Sequence, residues 1–147
     1  MTCEKPFAPG LYASGQPSAS DLARLAAQGV RSVINLRALQ EPVDYDEALE
    51  AARLGLRYVS IPVAGPQDVT CETVARFSQE LEECICHGGT LVHCASSNRA
   101  GALVALHHGL TRGTSRDDAV AMGRAAGLTS LEALVDDLLC KHARPEG

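Results

Sequence analysis

Short β-branched runs that start where a helix-patterned segment stops at a glycine leave this chain few folds to choose from. Val30–Leu36 (VRSVINL) begins directly after Gly29, and Leu56–Ile61 (LRYVSI) directly after Gly55. Ahead of the first run, Leu22, Leu25 and Ala26 recur at helical spacing, and Ser18 and Asp21 have the spacing of a capping box. Ahead of the second, Tyr45–Leu54 reads as a helix. A third unit places Val74, Phe77, Leu81 and Ile85 on one helical stripe, stops at Gly88-Gly89 and leads into Thr90–His93 (TLVH). Leu11–Ser14 reads as an edge strand closed by a turn at Gly15 and Pro17, and Arg37–Asp44, polar and with Pro42, as a loop. Strands that alternate with helices pair in parallel through right-handed crossovers. The expectation is an α/β fold: a mostly parallel central sheet flanked by helices.

The second half is helical. RAGALVALHHGL, from Arg99, is apolar nearly all round and predicts a buried helix. Ser115 and Asp118 cap a further helix ending near Gly127. Thr129 and Glu132 form a capping box for the last one, where Leu131, Leu134, Val135, Leu138 and Leu139 make an apolar stripe.

At 147 residues the chain has the size of one domain, 1–147, with a core over about 11–140. Only 3% of residues are aromatic and none is Trp, so Leu, Val, Ile and Ala must build that core. Lys+Arg 13 against Asp+Glu 18 gives 13 − 18 = −5, a balance unsuited to nucleic-acid binding, which needs clustered cations. No apolar run approaches the length of a membrane span. The opening MTCEKPFAPG lacks the apolar segment of a secretory signal, so a cytoplasmic location is expected. The six cysteines (Cys3, Cys71, Cys84, Cys86, Cys94, Cys140) show neither a CxxC pair nor zinc-ligand spacing, and no metal or other cofactor is expected. Cys84 and Cys86, two apart, fall on different faces of a helix.

Chemistry concentrates in LVHCASSNRAG, residues 91–101. Cys94 leaves a strand, Arg99 opens a helix, and Ala95, Ser96, Ser97 and Asn98 between them are small or polar. Such a loop can turn its backbone N–H groups toward one point, and the helix N-terminus adds partial positive charge. That field favours the thiolate of Cys94. Arg99 supplies a planar, permanently charged fork for two oxygens of an oxyanion. A nucleophile, an anion nest and a bidentate cation within six residues point to covalent catalysis on an oxyanionic substrate. Arg37, at the carboxyl end of VINL, is a second candidate cation; pairing with Glu41 or Asp44 is its rival role. His93 points away from the loop by strand alternation, Asn98 is placed to brace it, and His107 and His108 read as structural histidines.

HCASSNRAG resembles the Cys–Arg signature of dual-specificity-type cysteine phosphatases. SGQPSASDLARLAAQGVRSVINLR, LGLRYVSIPVAGP, LVHCASSNRAGALVAL and GRAAGLTSLEALV extend the likeness from Leu11 to about Leu139, and are similar to the phosphatase-like domain of the beta-lactamase-hydrolase-like protein family. The resemblance implies a three-layer, tyrosine-phosphatase-like fold and a phosphorylated substrate. It also implies a phosphocysteine formed on Cys94, phosphoryl oxygens held by Arg99, and a carboxylic acid on a separate loop, without a metal.

The chain departs from the wider phosphatase pattern in four places. Four residues separate Cys94 from Arg99, one fewer than in the usual signature, and rhodanese-type sulfurtransferases use a loop of this shorter length. Ala100 stands where many phosphatases carry Ser or Thr, and Ser97 where glycine is common. The expected acid position in IPVAGPQD holds Ala64 or Gly65, which leaves Asp68 as the one carboxylate there. Asp68 is the candidate general acid; a solvated loop charge or a cap for the next helix, with Thr70 as rival cap, are its alternative roles. Three functions therefore stand side by side. The first is a phosphatase acting on phosphotyrosine or small phosphoesters. The others are a sulfurtransferase carrying sulfane sulfur on Cys94 and a weakly catalytic anion- or phosphopeptide-binding module.

Overall fold

The computed structural model describes residues 5–38, 41 and 43–142. Cys3 and Pro42 lie outside them. Five strands form one sheet: β1 (Lys5–Ala8), β2 (Leu11–Ser14), β3 (Val30–Asn35), β4 (Arg57–Ser60) and β5 (Gly89–His93), in the order β1-β2-β5-β3-β4. All pairs are parallel except β1 with β2. Six helices accompany it: α1 (Ala19–Ala27), α2 (Glu47–Arg53), α3 (Cys71–His87), α4 (Asn98–Leu106), α5 (Arg116–Ala125) and α6 (Glu132–His142). The α/β class and the parallel sheet follow the sequence expectation.

Leu11–Ser14 is not the edge. A hairpin adds β1 outside it, and Phe7 of β1 joins the core. KPFA carries a proline and no apolar alternation, so its only sequence signal is the Pro9-Gly10 turn behind it; proline is tolerated because an edge strand leaves one side unpaired.

Strand alternation divides the core. Leu91, Val33 and Val30 face α1 and α2, where Leu22, Leu25 and Ala51 cover them. Val92 and Ile34 face the other layer, with Phe77, Leu103, Leu106 and Val135 from α3, α4 and α6. On α3 the buried stripe is Val74, Phe77, Leu81 and Cys84; Ile85 turns out to solvent, 45% exposed.

Helix α4 is buried along its length, and glycines let its neighbours come close. A Cβ on Gly101 would stand 2.2 Å from the backbone nitrogen of Leu128, and one on Gly123 2.7 Å from the Ala105 Cβ. Beyond α4 the chain makes one π-helical turn, His107–Thr111. There His107 Nδ1 shares a 2.7 Å hydrogen bond with Ser78 Oγ. Burial, with His108 and Arg112 nearby, lowers the His107 pKa to about 4, so this histidine is neutral and structural.

Parallel register also aligns the strand ends. Ser14 and Asn35 both pair with His93, and Asn35 pairs with Ser60. This row is the carboxyl edge of the sheet, and the loops after it converge on Cys94. Gly101→Ala inserts a methyl group against backbone that cannot yield, so urea unfolding should show a loss of about 1–3 kcal/mol with the denaturant slope unchanged.

Candidate active site

Cys94 follows the end of β5, the central strand, and its side chain is fully covered. Its backbone N–H donates to the Ser14 carbonyl at 3.2 Å, and Gly15 forms an antiparallel bridge with Ser96. Only glycine fits at position 15, because a Cβ there would lie 2.6 Å from the Ala95 carbonyl oxygen. Ala95 and Ser96 are exposed at the rim.

Ser97 closes the loop with φ +71°, the left-handed conformation expected of a glycine position. Its buried hydroxyl donates to the Ala126 carbonyl at 2.6 Å, which helps offset that strain. Asn98 opens α4, and its side chain binds the segment before α6, not the Cys94–Arg99 loop it was expected to brace: its Oδ1 accepts from the N–H of Thr129 at 2.8 Å and its Nδ2 donates to Ser130 Oγ at 2.7 Å. The tight loop from Cys94 and the N-terminus of α4 are the segment expected to form the anion cradle.

Arg99 is held by two partners. Its Nη1 and Nη2 donate to the two carboxylate oxygens of Glu41 at 2.8 and 2.9 Å, and Nη1 also donates to the Val63 carbonyl at 2.6 Å. Glu41 thereby takes the end edge of the guanidinium. The side edge, Nε–H with the second Nη2–H, takes no part in these bonds. The hydrogen bonds to Glu41 above all, with Cys94 also contributing, raise the Arg99 pKa above its ordinary value. Reciprocally, the hydrogen bonds from Arg99 lower the Glu41 pKa from 4.5 to about 2, with the Ala38 N–H and Arg37 contributing.

The Val63 carbonyl is placed by the sheet. The N–H groups of Ile61 and Val63 donate to the carbonyls of Asn35 and Leu36 at 2.9 Å, so the chain after β4 keeps following β3 past its end. Asp68 then sits in a short 3-10 turn, Pro66–Asp68, and its Oδ2 accepts from the Ala64 N–H at 2.8 Å. The cap of α3 is Thr70. The loop carrying Asp68 is therefore tied to Arg99 through Val63, and its carboxylate folds back onto the position where the phosphatase pattern expects an acid.

Arg37 lies in the loop after β3. It is buried, its Nη1 donates to Gln16 Oε1 at 2.5 Å, and its Nε lies 3.5 Å from Glu41. The pairing with Glu41 expected of it is present. His93 does point into the scaffold, with Nε2 2.5 Å from Glu47 Oε2. A cleft of about 190 Å³ opens beside these groups, lined in part by Gln16, Arg37, Glu41, Tyr45, Glu47 and Tyr58. Sequence reasoning passed over Gln16 and Glu47, and gave Glu41 only to Arg37. An acid in the first turn of a helix, as Glu47 is, reads as dipole compensation. Among the described residues, no group of three or more His, Cys, Asp or Glu side chains is arranged to hold a metal ion, and no helix is long and apolar enough to cross a membrane.

The profile of the family described as DSP-PTPase phosphatase fused to NAD+ kinase (PTP-NADK) matches residues 3–136. The chain belongs to this family. Within it, the sequence is similar to beta-lactamase hydrolase-like proteins of Xylella fastidiosa and Agrobacterium fabrum, at 36% and 33% identity over 121 residues. Those alignments cover 80% of this chain and 27% of each relative, so the chain spans about a quarter of their length. A DUF442 protein from Shewanella putrefaciens superposes with a TM-score of 0.74 at 27% identity, over 96% of this chain and 93% of that one. TpbA of P. aeruginosa, solved in complex with pTyr, shares the fold at 21% identity, with a TM-score of 0.69 over 92% and 81% of the two chains. The phosphatase-like resemblance read from the sequence is borne out.

The Glu41–Arg99 pair sets an acid-sensitive contribution to stability. The Glu41 pKa is lower folded than unfolded, so the contribution is full above about 4.5 and is lost as pH falls toward about 2. Urea melts at stepped pH should show wild type and Glu41→Gln differing by a constant amount above pH ~5, then converging below it. A difference independent of pH would contradict the pairing.

Proposed function

We propose that this domain is a cysteine-dependent phosphatase acting on phosphotyrosine or small phosphoesters through a phosphocysteine. The observation that carries the reading is the setting of Arg99: Glu41 and Val63 fix the end of the guanidinium, and Cys94 is among the groups that act on it. Family membership and the pTyr-bound fold relative support the same substrate class.

In the first step Cys94 Sγ attacks phosphorus and the P–O bond to the leaving group breaks. Backbone N–H groups of Ala95, Ser96, Ser97 and Asn98, with Arg99, hold the three equatorial oxygens as charge builds on them. Asp68 gives its proton to the departing oxygen. In the second step a water attacks phosphorus, the S–P bond breaks, Asp68 takes the water's proton, and phosphate and free Cys94 are released. Arg37 acts here from behind, through Glu41. No nucleic acid or membrane takes part.

A second reading is favoured by the four-residue loop and by the likeness to beta-lactamase hydrolase-like proteins. In it, Cys94 attacks the sulfane sulfur of thiosulfate, the S–S bond breaks, sulfite leaves, and the persulfide passes its sulfur to an acceptor such as cyanide. Sulfite needs no proton to depart, and this separates the two chemistries.

Cys94→Ser should abolish turnover in whichever reaction the wild type performs. Asp68→Asn should lower kcat/KM for phosphotyrosine roughly a hundredfold, lower it far less for an activated aryl phosphate, and remove the alkaline limb of the pH–rate profile. Thiosulfate:cyanide turnover in wild type, untouched by Asp68→Asn, would instead establish the sulfurtransferase. Arg99→Lys keeps the charge but loses the fork, so kcat/KM should fall on the order of tenfold to a thousandfold in either reaction.

A further inference from the structure

Five side chains outside the cradle join its two ends. His93, directly before Cys94 and fully buried, has Nε2 2.5 Å from Glu47 Oε2. Glu47 Oε1 accepts from Gln16 Nε2 at 2.8 Å, and Gln16 Oε1 accepts from Arg37 Nη1 at 2.5 Å. Arg37 Nε lies 3.5 Å from Glu41 Oε1, and Glu41 holds the end edge of Arg99. The chain of contacts runs from the residue before the nucleophile to the anion-binding arginine, through β5, α2, the loop after β2 and the loop after β3.

Gln16 is the uncharged link, and the chemistry of the junction explains why. On one side stands a carboxylate, which needs a donor; on the other a guanidinium, which needs an acceptor. A primary amide satisfies both, whereas a carboxylate would repel Glu47 and an ammonium would repel Arg37. The same Nε2 also donates to the Pro17 carbonyl at 2.9 Å and approaches the Tyr45 hydroxyl at 3.4 Å, which fixes the amide's orientation. Its backbone neighbour Gly15 is bridged to Ser96 of the cradle. Gln16 is thus tied to the loop through the backbone and to both reacting ends through its side chain.

We propose that Gln16 is a positioning residue that sets Cys94 and Arg99 in register with each other, through Glu47–His93 on one side and Arg37–Glu41 on the other. Both reactions considered above need that register, and the phosphoryl form of the claim rests on the phosphatase reading. Removing the amide takes one donor from buried Glu47 and one acceptor from Arg37. Glu41 then loses a constraint and the fork of Arg99 moves with it; displacements well under an ångström are costly to such geometry.

The test uses the full chain and a readout that needs no turnover: the rate at which iodoacetamide alkylates Cys94, and the inorganic phosphate concentration that halves that rate. In Gln16→Met, similar in length but apolar, the protecting phosphate concentration should rise about tenfold, and kcat for p-nitrophenyl phosphate should fall by a similar factor. Glu41→Gln should weaken protection comparably, and the double variant should be little worse than either single one, because both break one chain of contacts. Should Gln16→Met not fold, Gln16→Asn serves, since its amide is a methylene too short to reach both partners. Unchanged protection in a folded Gln16 variant, or losses that add in the double variant, would overturn the proposal. If phosphate fails to protect wild-type Cys94, the phosphatase reading falls; Gln16 is then judged on the alkylation rate, which a positioning residue changes and a bystander does not.

Discussion

An arginine largely withdrawn from water must meet a carboxylate, and at Arg99 that requirement arranges its surroundings. Its side chain is 14% exposed and that of Glu41 24%. A pair this dry is favourable only when its geometry is good and its remaining donors are used. Both oxygens of Glu41 engage the fork, and the Val63 carbonyl takes a further N–H. Two loops that share no sequence pattern, one after β3 and one after β4, are thereby pinned to the first turn of α4. The end edge of the guanidinium serves the scaffold.

The parallel sheet is what lets those loops meet. In parallel strands the carboxyl ends lie on one edge, and the register here aligns Ser14, His93, Asn35 and Ser60 in a single row. β5 has β2 on one side and β3 on the other, so Cys94 emerges where loops from both flanks reach it. Close approach then depends on small residues. Gly15 admits the Ala95 carbonyl, and Gly101 and Gly123 let the helix that carries Arg99 sink against α5.

Much of this was legible in the sequence because it is local. Glycine stops, capping spacings and β-branched runs reflect forces acting within a few residues, and the Ser18 capping box forms as its spacing predicts. The left-handed conformation of Ser97 fits the resemblance, which puts glycine at that position. Where local signals were absent or ambiguous the reading slipped. KPFA gives no strand pattern, so β2 was placed at the edge, and Ile85 lies close enough to the apolar stripe of α3 to be read as part of it although Cys84 fills that place.

Residue pattern alone specifies the fold class, the strand–loop–helix that carries Cys94 and Arg99, and the small polar residues between them. Partner choice was left to the tertiary structure. Arg99 meets Glu41 across 58 positions and His93 meets Glu47 across 46. Several acids were equally available to either by composition. Sheet register, and the path each loop takes over the carboxyl edge, decide which carboxylate arrives within hydrogen-bonding distance, and no spacing along the chain encodes a distance through space.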